Sequence, residues 1–352
     1  MRTLHSFPLP FSLSGFLPRS LRALPLAALL AACGGGGGDD LPAAPQTPPP
    51  EPPTHSQPIT EMPSSSYTRD KLDVFVRLNQ ARLAAGVSAV EQNAQLDAAA
   101  QAHATYHVKN YVVGHGEDPD NPWFTGVDPT ARARAQGYTG TTVVEVISYA
   151  QPGLDAIESL LQSIYHLHGV LDPRANQVGI GSDVTSTPAP HSSTSITLGT
   201  TGNGLMNGPS VWHWPFDRQT GVNPLFLPAN ESPNPAPDLT SAGTPIMFCG
   251  GEHNFAPLKV LNAALKELSA DTPTPARLLI NAQVQVDPTI GTEVVIDPNL
   301  ALSSIYQGCL FLLPMTELLS GKTYQVEIQV EQGGVDISTS WSFETREADL
   351  TP

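Results

Sequence analysis

The stretch Val143-Val144-Glu145-Val146-Ile147, with Val113-Gly114-His115 before it and Ser163-Ile164-Tyr165-His166 after it, decides how this chain is read. A β-branched apolar run marks a strand, because such side chains fit a pleated, packed surface. An acid inside it needs a partner, since an isolated charge away from water is costly. Histidines on the flanking segments supply candidates. Brought together, His115, Glu145 and His166 make a divalent-metal or acid–base site. The competing reading is structural: Glu145 hydrogen-bonds one histidine and fixes a helix against the sheet.

Outward from the trio, the periodicity predicts helices interleaved with a few antiparallel strands, an α+β layered domain. Leu72, Phe75, Leu78 and Leu83 recur at helical spacing from near Thr68, with Gly86 as the stop. Asn93 reads as the N-cap of a second helix. On it Leu96, Ala99, Ala100, His103 and His107 share one face; His103 reads as a packed core histidine, the alternative being a metal-binding i, i+4 pair with His107. Asp128-Pro129 opens a short third helix that Gly137 ends. Thr141 to Tyr149 reads as a strand, Leu154 to Leu167 as a fourth helix, and Val178 to Thr185 and Ser193 to Thr200 as strands. Asp118, Asp120 and Asn121 form a solvated turn, because a calcium loop's glycine and closing glutamate are missing.

The order of local frames is more specific than the trio itself. His115 is followed by Arg132-Ala133-Arg134-Ala135-Gln136-Gly137-Tyr138, then Glu145, then Ser163-Ile164-Tyr165-His166, then Val178-Gly179-Ile180-Gly181. With Arg77-Leu78-Asn79, Arg82 and the Ala99-Ala100…His103-Ala104 helix, this resembles the bacterial branch of the CAP superfamily over about residues 68–200. The resemblance implies an α-β-α sandwich with a cleft holding histidines and acids. It implies that His115 and His166 are the cleft pair, metal ligands for zinc or another divalent ion. Glu145 matches the first cleft glutamate, a ligand contact or a base. Ser163 falls about where the family's second glutamate stands, and Leu167 replaces an arginine.

The rest of the chain frames this domain. Arg2, Arg19 and Arg22 precede the apolar run Leu24 to Ala32, the layout of an export signal. Leu30-Ala31-Ala32-Cys33 resembles the lipobox of bacterial lipoproteins, which implies a lipid on Cys33 and, with Gly34 next, an outer-membrane address. Residues 34–66, rich in Gly and Pro, read as a disordered tether. The whole chain carries a formal charge of −16, and without residues 1–32 it carries 14 − 33 = −19. So acidic a protein offers too few Lys and Arg for non-specific nucleic-acid binding.

Residues 67–225 read as the CAP-like domain, with the aromatic segment Trp212-His213-Trp214-Pro215-Phe216 completing it, and 226–242 as a Pro-rich linker. Residues 243–347 hold short strand candidates at Arg277–Val286, Glu293–Ile296, Tyr324–Val330 and Ser338–Phe343, which suggests a β-sandwich. Gly321-Lys322-Thr323-Tyr324 through Trp341-Ser342-Phe343 resembles bacterial immunoglobulin-like modules. Cys249 and Cys309 favour one disulfide in an oxidising compartment, and their spacing is not that of a zinc site. No nucleophile motif, phosphate loop or dinucleotide fingerprint is present. These features favour a lipid-anchored envelope protein that binds a divalent metal or a ligand (an envelope polymer, lipid or small hydrophobic molecule) in its His/Glu cleft, without a dedicated catalytic activity. The alternatives are a metal-assisted hydrolase with Glu145 as base, and a structural surface protein.

Overall fold

The computed structural model describes residues 63, 66–201, 210–251, 256–302 and 304–348. The described residues belong to one compact unit, Pro52–Pro352. The expected signal, the Cys33 lipobox and nearly all of the tether lie outside them.

The first half is a sheet clothed on both faces. Its helices are α1 (Arg69–Ala84), α2 (Ala94–Asn110), α3 (Pro129–Ala135), α4 (Leu154–Leu161) and α5 (Tyr165–Val170). Its strands are β1 (Glu91–Gln92), β2 (Thr141–Ser148), β3 (Gln177–Thr185) and β4 (His191–Thr200), in the order β1-β3-β4-β2. The caps act as their chemistry requires. The Asn93 side chain accepts from the amides of Gln95 and Leu96, and Asp128 accepts from Ala131 ahead of Pro129.

Alternation along β3 builds the layers. Val178 and Ile180 join the core shared with α1, α4 and α5. Gly179 and Gly181 face the other way, where a Cβ would run into the α2 backbone at Leu96 and Ala100. The two glycines are what let α2 lie directly on the sheet.

Two buried polar residues tie α1 down. Asn79 donates to Val90 O at 3.0 Å and accepts from Val90 N at 2.8 Å. Arg82 donates to the carbonyls of Ser88, Val170, Asp172 and Ala175, which holds the turn after α5.

One expected helix is two. The chain breaks between α4 and α5, where Ser163 Oγ donates to Leu160 O and accepts from Leu167 N. The buried Glu231 carboxylate accepts from the amides of Ile164 at 2.9 Å and Tyr165 at 2.7 Å. The cap comes from a residue far along the chain, so local periodicity could not show it.

The second half consists of two five-stranded sheets. One runs β10-β8-β13-β14-β6, the other β11-β9-β12-β7-β5. Their strands are β5 (Val211–Trp214), β6 (Gln219–Val222), β7 (Ile246–Gly250), β8 (Leu258–Glu267), β9 (Ala276–Ile280), β10 (Gln285–Val286), β11 (Glu293–Ile296), β12 (Cys309–Pro314), β13 (Thr323–Gln332) and β14 (Val335–Thr345). Gly333 and Gly334, both at positive φ, make the β13–β14 hairpin turn. Ile246, Phe248, Leu310 and Leu312 of one sheet pack with Val260, Val326, Ile328 and Phe343 of the other. The opposite face of the sheet holding β7 and β12 is also buried: Met247, Cys249, Phe311 and Leu313 join the α1, α4 and α5 core.

Three expectations about this half need correction. Strands β5 and β6 are edges of the two large sheets, so the boundary expected at residue 225 lies before Val211. The segment read as a linker is packed, with Phe226, Glu231, Ala236 and Ala242 buried and Phe226 bridged to Ala242. The span Arg277–Val286 breaks into β9 and β10 because Asn281 turns the chain, accepting from Gln283 N and donating to Leu300 O. Cys249 and Cys309 are disulfide-bonded register partners on β7 and β12.

Candidate functional site

Helix α2, the loop after it, α3 and strands β2 and β4 meet around two buried carboxylates. Glu145, on β2, has a side chain only 1% exposed. Arg132 of α3 donates Nη2 to both of its oxygens at 2.9 Å. Ser195 and Thr197 of β4 donate hydroxyls to Oε1 at 3.3 and 3.5 Å, and His115 Nδ1 lies 3.0 Å from Oε2. Glu117 takes the amides of Thr125 at 2.5 Å and Gly126 at 3.2 Å and sits 2.8 Å from His103 Nδ1. Arg132 spans the two acids, its Nε 3.9 Å from Glu117, and also donates to the carbonyls of His115 and Gly126.

Burial pushes both carboxyls toward the neutral form, and their partners overrule it. The hydrogen bond from His115 and the charges of His103 and Arg132 hold Glu145 below the usual carboxylate range. His103, the Thr125 amide and Arg132 do the same for Glu117.

Beside them the histidines of α2 lie one turn apart, ring centroids 4.0 Å and planes tilted by 57°. His107 is pushed down to about 4 by burial and by the charge of His103. In that neutral ring Nε2 donates to Gly114 O at 2.8 Å, and Nδ1, 2.9 Å from Ser193 Oγ, accepts the hydroxyl proton. His103 is buried, as expected of a core histidine, but it is wired to Glu117 and lies 3.7 Å from Glu145.

The way out of this network is His115. Its side chain is 53% exposed, with Nδ1 held by Glu145. Beside it the Tyr149 hydroxyl accepts from Gly114 N at 2.6 Å, and burial pushes that phenol up to about 12. Tyr149, His191 and Tyr111 form a ring stack with centroid spacings of 6.2 and 5.5 Å. Tyr111, Val113, Val127 and Tyr149 are exposed apolar residues, with the Tyr149 hydroxyl on Gly114 N and the Val127 carbonyl beside Gly116.

Two of the three opening residues therefore come together, and the third goes elsewhere. His166 Nδ1 lies 3.2 Å from Glu231, not at Glu145. Ser163 is spent on the helix break. The ligand atoms of His115, Glu145 and His166 do not gather within metal-binding reach. Among the described residues one group of three does, and it is His168, Cys249 and Cys309. Sequence reasoning missed Glu117 and Arg132 as site residues. The available signal was Glu117 two residues after His115, an acid needing a partner like Glu145.

Residues 75–188 match the model of the CAP family, the cysteine-rich secretory protein family, so a CAP domain occupies that span. Among solved structures, an outer surface protein of Borrelia burgdorferi is 14% identical, with TM-score 0.31, and the match covers 38% of this chain and 93% of that one. An extracellular protein containing an SCP domain from Bacillus anthracis is 18% identical, with TM-score 0.30, covering 38% of this chain and 44% of that one. No curated protein matches the chain.

Proposed function

We propose that this is an exported, lipid-anchored binding protein of the cell envelope. Its CAP domain takes a small amphipathic ligand at the opening around His115. The observation that carries this reading is the division of labour in the site. Glu145 is saturated and buried, while the ring it orients is half exposed, and Tyr111, Val113, Val127 and Tyr149 on the adjoining segments are exposed apolar residues. A few fixed polar groups beside an apolar surface suit a ligand with a flat apolar body and an acidic or hydroxyl head. The head would meet His115, whose Nδ1 is already committed.

The hydrolase reading fares worse. A general base needs a lone pair facing its substrate. Both Glu145 oxygens are engaged by Arg132, and Ser195, Thr197 and His115 take the remaining directions.

Anchoring belongs to the same proposal: an export signal, a lipid on Cys33 and a tether would place the domain at the outer membrane. The second half, read as an immunoglobulin-like module, acts as a platform rather than a free spacer. Its support is the core it shares with α1, α4 and α5.

The test uses 1-anilinonaphthalene-8-sulfonate, an apolar ring system with an anionic head. Its fluorescence should rise saturably with one probe per protein, and His115→Ala and Tyr149→Ala should weaken binding about tenfold each, a loss of about 1.4 kcal/mol. Unchanged binding in both variants would defeat the assignment of the site. A structural surface protein would bind no probe at all.

A further inference from the structure

A second cluster of chemistry lies away from the His115 opening, where α5 packs on β7 and β12. His168 leaves α5 into the core there, two residues past His166. A ring nitrogen of His168 and the sulfurs of Cys249 and Cys309 lie within 4.8 Å of one another, and all three residues are buried. His168 Nε2 has no hydrogen-bond partner. A buried polar atom without a partner costs about 1–3 kcal/mol, so its place beside two sulfurs needs a reason. The Tyr306 ring packs against the His168 ring, centroids 4.1 Å apart and planes tilted by 39°, and Arg174 is occupied with Asp172.

We propose that the dithiol form of this protein binds one soft divalent cation, of the zinc class, through Cys249, Cys309 and His168, and that disulfide formation releases it. The chain is synthesised with free thiols. A divalent zinc ion then displaces one proton from each thiol and is held by two thiolates and a neutral imidazole, a ligand set that zinc accepts with a fourth position left over. A disulfide-bearing oxidant later accepts two electrons from the thiolates and two protons from solvent. It becomes a dithiol, the Cys249–Cys309 bond forms, and the cation leaves because neither sulfur keeps its charge.

The geometry tolerates both states. The cysteines face each other across antiparallel strands, with Cα atoms 4.1 Å apart and sulfurs bonded at 2.05 Å. Two Zn–S bonds of about 2.3 Å at a tetrahedral angle need the sulfurs about 3.8 Å apart. The sulfurs, joined in the disulfide, would reach that separation by rotation of the two side chains on reduction, and a His168 ring nitrogen already lies within 4.8 Å of both. The distance of 60 residues along the chain, which argued against a metal site, is cancelled by strand register.

The test uses the protein with Cys33→Ser, so that two thiols remain. It is reduced with a phosphine and freed of reductant without air, and divalent cobalt is the probe. One equivalent should produce a thiolate-to-cobalt charge-transfer absorption and tetrahedral visible bands, both removed by one equivalent of zinc. The oxidised protein should show neither. His168→Gln should weaken binding by more than the roughly 10–100-fold that loss of an outer-shell partner costs. Should reduction unfold the chain, recovery of its circular dichroism on adding zinc supports the site, and failure to recover overturns it. So does a reduced, folded protein without the absorption, or His168→Gln binding as tightly as its parent.

Discussion

Replacing Arg132 by Met tests whether the site's two acids depend on one guanidinium. The side chains of Arg132 and Glu145 are each 1% exposed, and Nη2 lies 2.9 Å from the carboxylate. Charge centres about 4 Å apart at an effective dielectric of ~20 attract by about 4 kcal/mol. Methionine fills a similar volume but leaves two carboxylates buried without that cation. Breaking a buried pair from one side costs about 3–5 kcal/mol, because the remaining charge is uncompensated. Urea unfolding followed by circular dichroism reads this directly. With a slope of about 3 kcal/mol/M, the midpoint should fall by roughly 1 M or more. The double variant Arg132→Met with Glu145→Gln should lose less than the sum of the single changes, by at least ~1.5 kcal/mol. A midpoint within ~0.3 M of the parent for Arg132→Met, or strictly additive losses, would refute the view that this pair organises the site.

Acid should weaken the fold before its carboxylates titrate. His168, pushed down to about 4 by burial, is neutral when folded and takes a proton near pH 6.5 when unfolded, so its contribution, about 3 kcal/mol, is whole above pH 6.5 and is lost as pH falls toward 4. His107 adds a loss of the same sign in the same window, and stability constant from pH 7 to 4.5 would contradict both. Gly181→Ala sets a Cβ against the backbone of Ala100, so α2 must shift and melting should drop sharply, by several degrees or more; an unchanged melting temperature would mean that α2 does not lie on β3 as described. Cys33→Ser should move the protein from the membrane fraction to the soluble fraction on cell lysis, and retention in the membrane would remove the lipid anchor from the account.

What was legible in the chain had local causes. Asn93 and Asp128-Pro129 announce α2 and α3 because a cap acts within three residues of itself. Helix α1 shows its 3.6-residue stripe for the same reason, since one face packs and the other is wet. Strands β7 and β12 were invisible to alternation because both faces are buried, one in the sandwich and one against the helices, leaving continuous apolar runs. The break between α4 and α5 is set by Glu231, 67 residues beyond Ile164. The motif around His166 marks the right helix, yet that same Glu231 takes the ring. Of the site, the sequence supplied His115 with Glu145; Glu117, Arg132 and the wired His103 emerge only once α2, α3 and β2 are stacked.

The central claim is that His115 is the polar contact of a ligand opening, held by a saturated Glu145. Long-range proton–nitrogen spectra of the histidine rings, recorded while the anilinonaphthalene sulfonate is titrated in, test it most directly. The account predicts a saturable shift of His115 Nε2 with His103 and His107 still. Probe binding that leaves His115 unmoved would contradict it.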